Sequence, residues 1–231
     1  MSSLIGDVLL VARRDLAIER RSKVILDVVL PFAVVVVILF AFALDPDTGT
    51  LTGATPGLFW TTVLFSTLLT VQRQATFDAS PGVRGMLLST QIEPAAMFLG
   101  KVAAATVFIV ALEAGLALAV ALLYGPDVSS AASLVGGAAL IGSLLFGAVA
   151  MGASGTLYAS LTASVGAREA LLPMLVLPLC SPLVLSATQA SAAVLDGRAS
   201  EAWRWLGLLA AAASFTLVLG AWLFEHTLED A

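Results

Sequence analysis

Apolar residues run in six long blocks along the chain, at about 24–44, 56–73, 101–124, 134–157, 169–189 and 202–224. A helix crosses the hydrocarbon core of a bilayer with about 20 mostly apolar residues. The pattern therefore predicts an all-α polytopic membrane protein with six transmembrane helices. DPDTG at 45–49, YGPD at 124–127 and LDG at 195–197 supply turns between blocks. The second block is the weakest, because Gln72, Arg73 and Gln74 end it abruptly. No linker, low-complexity tract or internal repeat divides residues 1–231, so a single membrane domain is expected.

A different periodicity precedes the first block. Ile5, Val8, Leu9, Ala12 and Leu16 recur at helical spacing over residues 3–23 and form one face. Arg13, Arg14, Arg20, Arg21 and Lys23 make a basic cluster in the same segment. This reads as an amphipathic interfacial helix with its arginines toward anionic headgroups. A short helix packed on the rest of the protein is the alternative. A cleavable signal would place its basic residues before the apolar run, and here they follow it.

Composition agrees with the pattern. Hydrophobic residues make up 59%, charged residues 12%, and the mean hydropathy is +1.01. Soluble domains average about 45–50% apolar and about 25% charged. A net charge of −5 offers no basic field for nucleic acid. One cysteine and one histidine exclude an internal disulfide, a cysteine zinc site and a histidine-rich metal site. The basic residues are distributed unevenly. Nine of them, from Arg13 to Arg168, fall on one side of the threaded chain, whereas only Arg198 and Arg204 fall on the other. The positive-inside rule then places both termini in the cytoplasm of a bacterial inner membrane. Asp45, Asp47, Asp127 and Asp196 fall in the external loops, in agreement.

Some chemistry is missing. There is no G-x-x-x-x-G-K-[ST]; FLGKV at 98–102 lacks the first glycine and the hydroxyl residue of a phosphate cradle. MGASG at 151–155 is not a nucleophile elbow. Its block instead spaces small residues four apart, as in Ala138 with Gly142, Ser143 with Gly147, and Ala148 with Gly152. That spacing lets helices approach closely in lipid.

A few positions break the apolar rule. Glu113 falls near the middle of the third block, where a charged group costs about 2.5–3.5 kcal/mol on insertion scales. It reads as a translocation or coupling residue, or as a buried hydrogen-bond anchor. Asp27 is near the start of the first block and reads as structural. Pro173, Pro178 and Pro182 predict a kinked or broken fifth segment, either a hinge or pathway lining or a static kink. Cys180 reads as a small hydrophobe and His226 as a solvated residue at a helix end. The stretch 74–98 is the longest loop, with Asp78 and Ser80 able to cap helices and Glu93-Pro94 suited to open one. A short helix there could dock into a groove on a cytosolic partner.

Several strings together resemble the heme exporter protein B family, the permease subunit of the cytochrome c maturation ABC transporter. They are ARRDLAIERRSK, PGLFW with LLTVQR, GVRGMLLS followed by proline and FLGK, Glu113, and LLPMLVLPLCSPLVL. Pro81 and Arg84 stand where family members commonly carry acidic residues. The resemblance implies an ABC exporter permease-like fold without an ATP site of its own and with no cofactor bound directly. It implies ATP on a cytosolic ATPase subunit and heme as substrate of the complex. It further implies a heme-handling membrane protein, a periplasmic heme chaperone and, as a further candidate, a second permease copy as partners. Loop 74–98 becomes the coupling loop, with Arg73, Asp78, Gly82, Arg84, Gly85, Glu93, Pro94 and Lys101 as its candidate residues. The rival readings are an ABC exporter permease for a lipid or drug, and a membrane assembly scaffold that transports nothing.

Overall fold

A computed structural model describes residues 4–23, 25–44, 49–78, 92–161 and 168–229. They form seven α-helices: α1 (Leu4–Ser22), α2 (Leu30–Ala43), α3 (Thr50–Asp78), α4 (Pro94–Tyr124), α5 (Leu134–Leu161), α6 (Arg168–Leu195) and α7 (Ala199–Glu229). The last five contain stretches long and apolar enough to cross a membrane, and α2 belongs to a shorter apolar helix. The chain is a multi-pass membrane protein, and all regular secondary structure among the described residues is helical.

The helices outrun the apolar blocks, because backbone hydrogen bonding continues into the headgroup region. Pro94 opens α4 in its first turn, where its missing N–H costs nothing. Gly125 closes α4 in the left-handed conformation (φ 57°). The first block departs most from expectation. The span expected over 24–44 is helical from Ile25 to Ala43, with a π-helical turn at Ile25–Val29 running directly into the 14-residue α2. Lys23, with φ 53°, ends α1 in the left-handed region, and Pro31 restricts α2 to starting near Leu30. Asp27 is exposed within the π turn.

α5 occupies the centre and packs against α3, α4, α6 and α7. Every residue from Met151 to Leu157 is buried, so this stretch is enclosed on all sides. Its small side chains make that geometry feasible. A Cβ added at Gly147 would lie 2.5 Å from the Trp60 ring, and one at Gly155 would lie 2.5 Å from Val71. Gly142 faces Leu206 of α7, and Gly152 faces Ala105 and Thr106 of α4.

Polar bonds tie these apolar contacts together. The Trp60 indole N–H donates to Ser191 Oγ at 3.0 Å, and Ser191 Oγ is 3.3 Å from Ser143 Oγ. One buried cluster thus joins α3, α5 and α6. Tyr124 Oη donates to the Val37 carbonyl at 3.0 Å, fastening α4 to α2.

Of the kinked or broken segment that its prolines predict, the break does not occur, because α6 is one helix from Arg168 to Leu195. Pro182 cannot donate to the carbonyl of Pro178, and Ser181 Oγ donates to it instead at 2.8 Å. Cys180 is buried against the main core. Beyond the bundle end formed by Tyr124 and Leu195, two charged groups are fixed locally. The Ser129 backbone N–H and then its hydroxyl hold Asp127 below the usual carboxylate range. Arg198 bonds Asp196 and Glu201, and this pairing raises its already high pKa.

If the Trp60 contact sets helix spacing, Gly147→Leu lowers the melting temperature of the purified protein in detergent. Gly53→Ala is the control, because nothing lies within 4 Å of a Cβ there. Replacing a helical glycine by alanine contributes about 0.5–1 kcal/mol, so this variant melts at or above the parent temperature. Equal melting temperatures for Gly147→Leu and the parent would refute the packing role.

Candidate functional site

Glu113 sits about midway along α4, on the face that also carries Ile109, Leu116, Val120 and Tyr124, all buried. The spacing of 4, 3, 4 and 4 residues places them one above another. Glu113 is 2% exposed, and neither carboxyl oxygen has a hydrogen-bond partner among the described residues. The membrane stretches of the other helices supply no counter-charge. Residues 30–43, 50–72, 134–161, 174–195 and 205–224 contain no Asp, Glu, Lys or Arg. The hydrogen-bond-anchor reading therefore finds no partner here. What remains is a polar group held in an apolar bundle at a cost of about 1–3 kcal/mol for an unsatisfied buried group. Ser66 Oγ and Thr67 Oγ1 of α3 are also buried without a partner among the described residues.

The loop residues divide into two sets. Arg73 is exposed on α3, Glu93 is exposed just before α4, and Pro94 is partly buried as its first residue. Lys101 Nζ lies 3.7 Å from Asp15 Oδ2 of α1. Gly82, Arg84 and Gly85 lie outside the described residues, as does the side chain of Asp78. The expected short helix at 82–88 lies outside them as well. Of the α6 prolines, Pro178 and Pro182 are exposed on its outer side, and the side chain of Pro173 lies outside the described residues.

The basic cluster lies on α1 near the start of α4. Arg13, Arg20, Arg21 and Lys23 are exposed, and Arg14 is 3.7 Å from its neighbour Asp15. The apolar face anticipated for α1 is split. Val8 is half-buried and Ala12 buried, whereas Ile5 and Leu9 are exposed. Val11, absent from that face in the sequence pattern, is buried against Gly100. The signal that could have found this contact is the lone glycine in an otherwise bulky FLGKV string.

Helix order, an unpaired membrane-core carboxyl and a cluster of polar residues at one end of α3 and α4 describe a permease-like bundle. A sequence profile described as CcmB protein matches residues 7–231. The chain belongs to the CcmB family. It is 30% identical to "Heme exporter protein B" of Paracoccus denitrificans over 179 residues, covering 77% of this chain and 78% of that protein. It is also 30% identical to "Heme exporter protein B" of Pseudomonas aeruginosa over 208 residues, covering 89% of each. The CcmB match includes α1 from Asp7 onward, so that helix is part of the family domain.

The unpaired carboxyl leads to a stability test. Glu113→Leu removes an unsatisfied polar group, so it raises stability by about 1–3 kcal/mol in a detergent unfolding assay. Glu113→Gln stays near the parent value. A lower stability for the leucine variant would show that the carboxyl holds helices together.

Proposed function

We propose that this chain is the membrane permease subunit of an ATP-driven heme exporter that serves cytochrome c biogenesis in the bacterial inner membrane. The observation that carries the reading is the CcmB match over residues 7–231, joined to relatives named heme exporter protein B. The sequence holds no G-x-x-x-x-G-K-[ST] string, so the proposal assigns ATP binding to a separate cytosolic subunit.

In this reading the segment 74–98 takes the force of the ATPase, with Arg73, Asp78, Gly82, Arg84, Gly85, Glu93, Pro94 and Lys101 as its contact and support residues. Its first residues, 74–78, are the end of α3 and its last, 94–98, the start of α4, so the loop expected over 74–98 is helical at both ends, which gives a short mechanical route into the bundle. Glu113 lies on α4 four to five turns further in, and is the candidate group for contact with substrate or for coupling. Pro173, Pro178 and Pro182 mark α6 as the helix least able to hold a rigid hydrogen-bond ladder. Heme is the substrate of the complex. Its iron ligands belong to a heme-handling membrane protein and a periplasmic chaperone, which suits a chain with a single histidine. Both termini are assigned to the cytoplasm by the distribution of basic residues.

The test is affinity purification of the tagged chain in mild detergent, with mass spectrometry and an ATPase assay of the eluate. An ATPase subunit and heme-handling proteins are expected to come down together. Gly82→Pro and Glu93→Ala are expected to weaken that recovery, and the isolated chain is expected to show no ATPase activity. Recovery of an ATPase without heme partners would reopen the substrate. Well-folded protein that brings down no ATPase would overturn the permease reading.

A further inference from the structure

α1 has two faces with different duties. One face is fastened to α4. A Cβ at Gly100 would lie 2.6 Å from Val11 Cβ and 2.9 Å from the Val8 carbonyl oxygen, so the two backbones are as close as glycine permits. Lys101 and Asp15 form an ion pair at 3.7 Å beside this contact. The other face is bare. Ile5, Leu9, Arg13, Leu16 and Arg20 follow at spacings of 4, 4, 3 and 4, forming one stripe along the helix. Ile5 is 70% and Leu9 50% exposed. Arg13 and Arg20 are exposed, Leu16 is partly so, and Arg21 stands exposed beside the stripe. These three arginines pair with no acidic side chain among the described residues.

The membrane spans fix where this stripe lies. α4 has 31 residues. At about 1.5 Å per residue it is about 46 Å long, against a hydrocarbon core of about 30 Å. Its first turns therefore stand at headgroup level, and α1 is fastened there. Apolar side chains followed by arginines, held at that depth, fit an acyl boundary capped by phosphates. The charge complementarity selects anionic phospholipid as the occupant.

We propose that α1 is a lipid-seated strap. Its Ile5–Leu9–Arg13–Leu16–Arg20 stripe, with Arg21, binds anionic headgroups of the bilayer. Through the Gly100 contact that seat sets the position of the first turns of α4, where the 74–98 segment joins the bundle. Lipid charge is thereby coupled to the helix that carries Glu113. The inference concerns the surface of α1 and stands whether or not the transported substrate is heme.

The experiment uses the full-length chain in nanodiscs of phosphatidylcholine alone or of phosphatidylcholine with phosphatidylglycerol. A bimane label is placed by Leu9→Cys in a Cys180→Ala background, and nitroxide-bearing lipids serve as quenchers. Circular dichroism selects variants that retain their helices. The label is expected to be quenched, more strongly by anionic than by neutral nitroxide lipid, with the difference falling as salt is added. Reversing Arg13, Arg20 and Arg21 to Glu is expected to abolish that preference. Neutralising a single one of them, as in Arg20→Gln, lowers it about fivefold, the equivalent of about 1 kcal/mol per basic residue at an anionic surface. Arg198→Glu, at the opposite end of the bundle, leaves it unchanged. Gly100→Leu pushes α1 off α4 and alters the quenching depth. Equal quenching in both lipids, or a label that stays in water, overturns the proposal. Shielding that appears only when a cytosolic ATPase subunit is added also overturns it and makes the stripe a protein interface.

Discussion

The Trp60 side chain, driven between α5 and α6, is the contact on which the bundle depends. Its ring fills the space that Gly147 leaves open, and its buried N–H finds Ser191. Lipid gives helices little hydrophobic reason to associate, since acyl chains are as apolar as leucine. Close packing and a few polar bonds must do it. Trp60 supplies both at one point, and the glycine and serine it meets lie on two different helices. The enclosed stretch from Met151 to Leu157 follows, because only small residues allow a helix to have neighbours on every side.

The same rule limits where polar groups can be tolerated. Most buried hydroxyls bond a carbonyl on their own helix, as Thr55, Thr70 and Ser154 do. Ser181 repairs the gap left by Pro182 in the same way. Glu113 has no such solution among the described residues. Ser66 and Thr67 of α3 also lack a partner there, but an unpaired carboxyl is the costlier group, and packing alone does not explain it. That contrast makes Glu113 a candidate for work on a substrate or in coupling.

The ends of the bundle differ in character. One end is closed locally by the short 3₁₀ turn at Ser129–Ala132 and the Asp196–Arg198–Glu201 group. The other end gathers α1, the starts of α4 and α7's Phe224, which packs on Phe98 with ring centroids 5.7 Å apart. Gly220 leaves the room that Phe98 needs. This end also holds the end of α3 and the start of α4, on either side of residues 79–93. A family domain that includes α1 from Asp7 agrees with that helix being a working part of the bundle.

Much of this was legible in the chain by itself. Long apolar blocks can only be helices in lipid, since each backbone amide must be satisfied within its own segment. Hence the helical class, the membrane placement, the turns at Gly125 and Gly197 and the oddity of Glu113 all follow from composition and order. The small-residue spacing in α5 announced close packing, although Ala138 turned out exposed. Partners were not legible, because periodicity shows that a residue faces something but not what it faces. Only the tertiary structure brought Trp60 to Gly147 and Ser191, 131 residues apart in the last case. It also divided α1 between α4 and the open side, put a π turn at the start of the first apolar block, and kept α6 continuous despite its prolines. Each of these depends on which neighbour arrives at a given depth, and that is set by how the helices fit together in three dimensions.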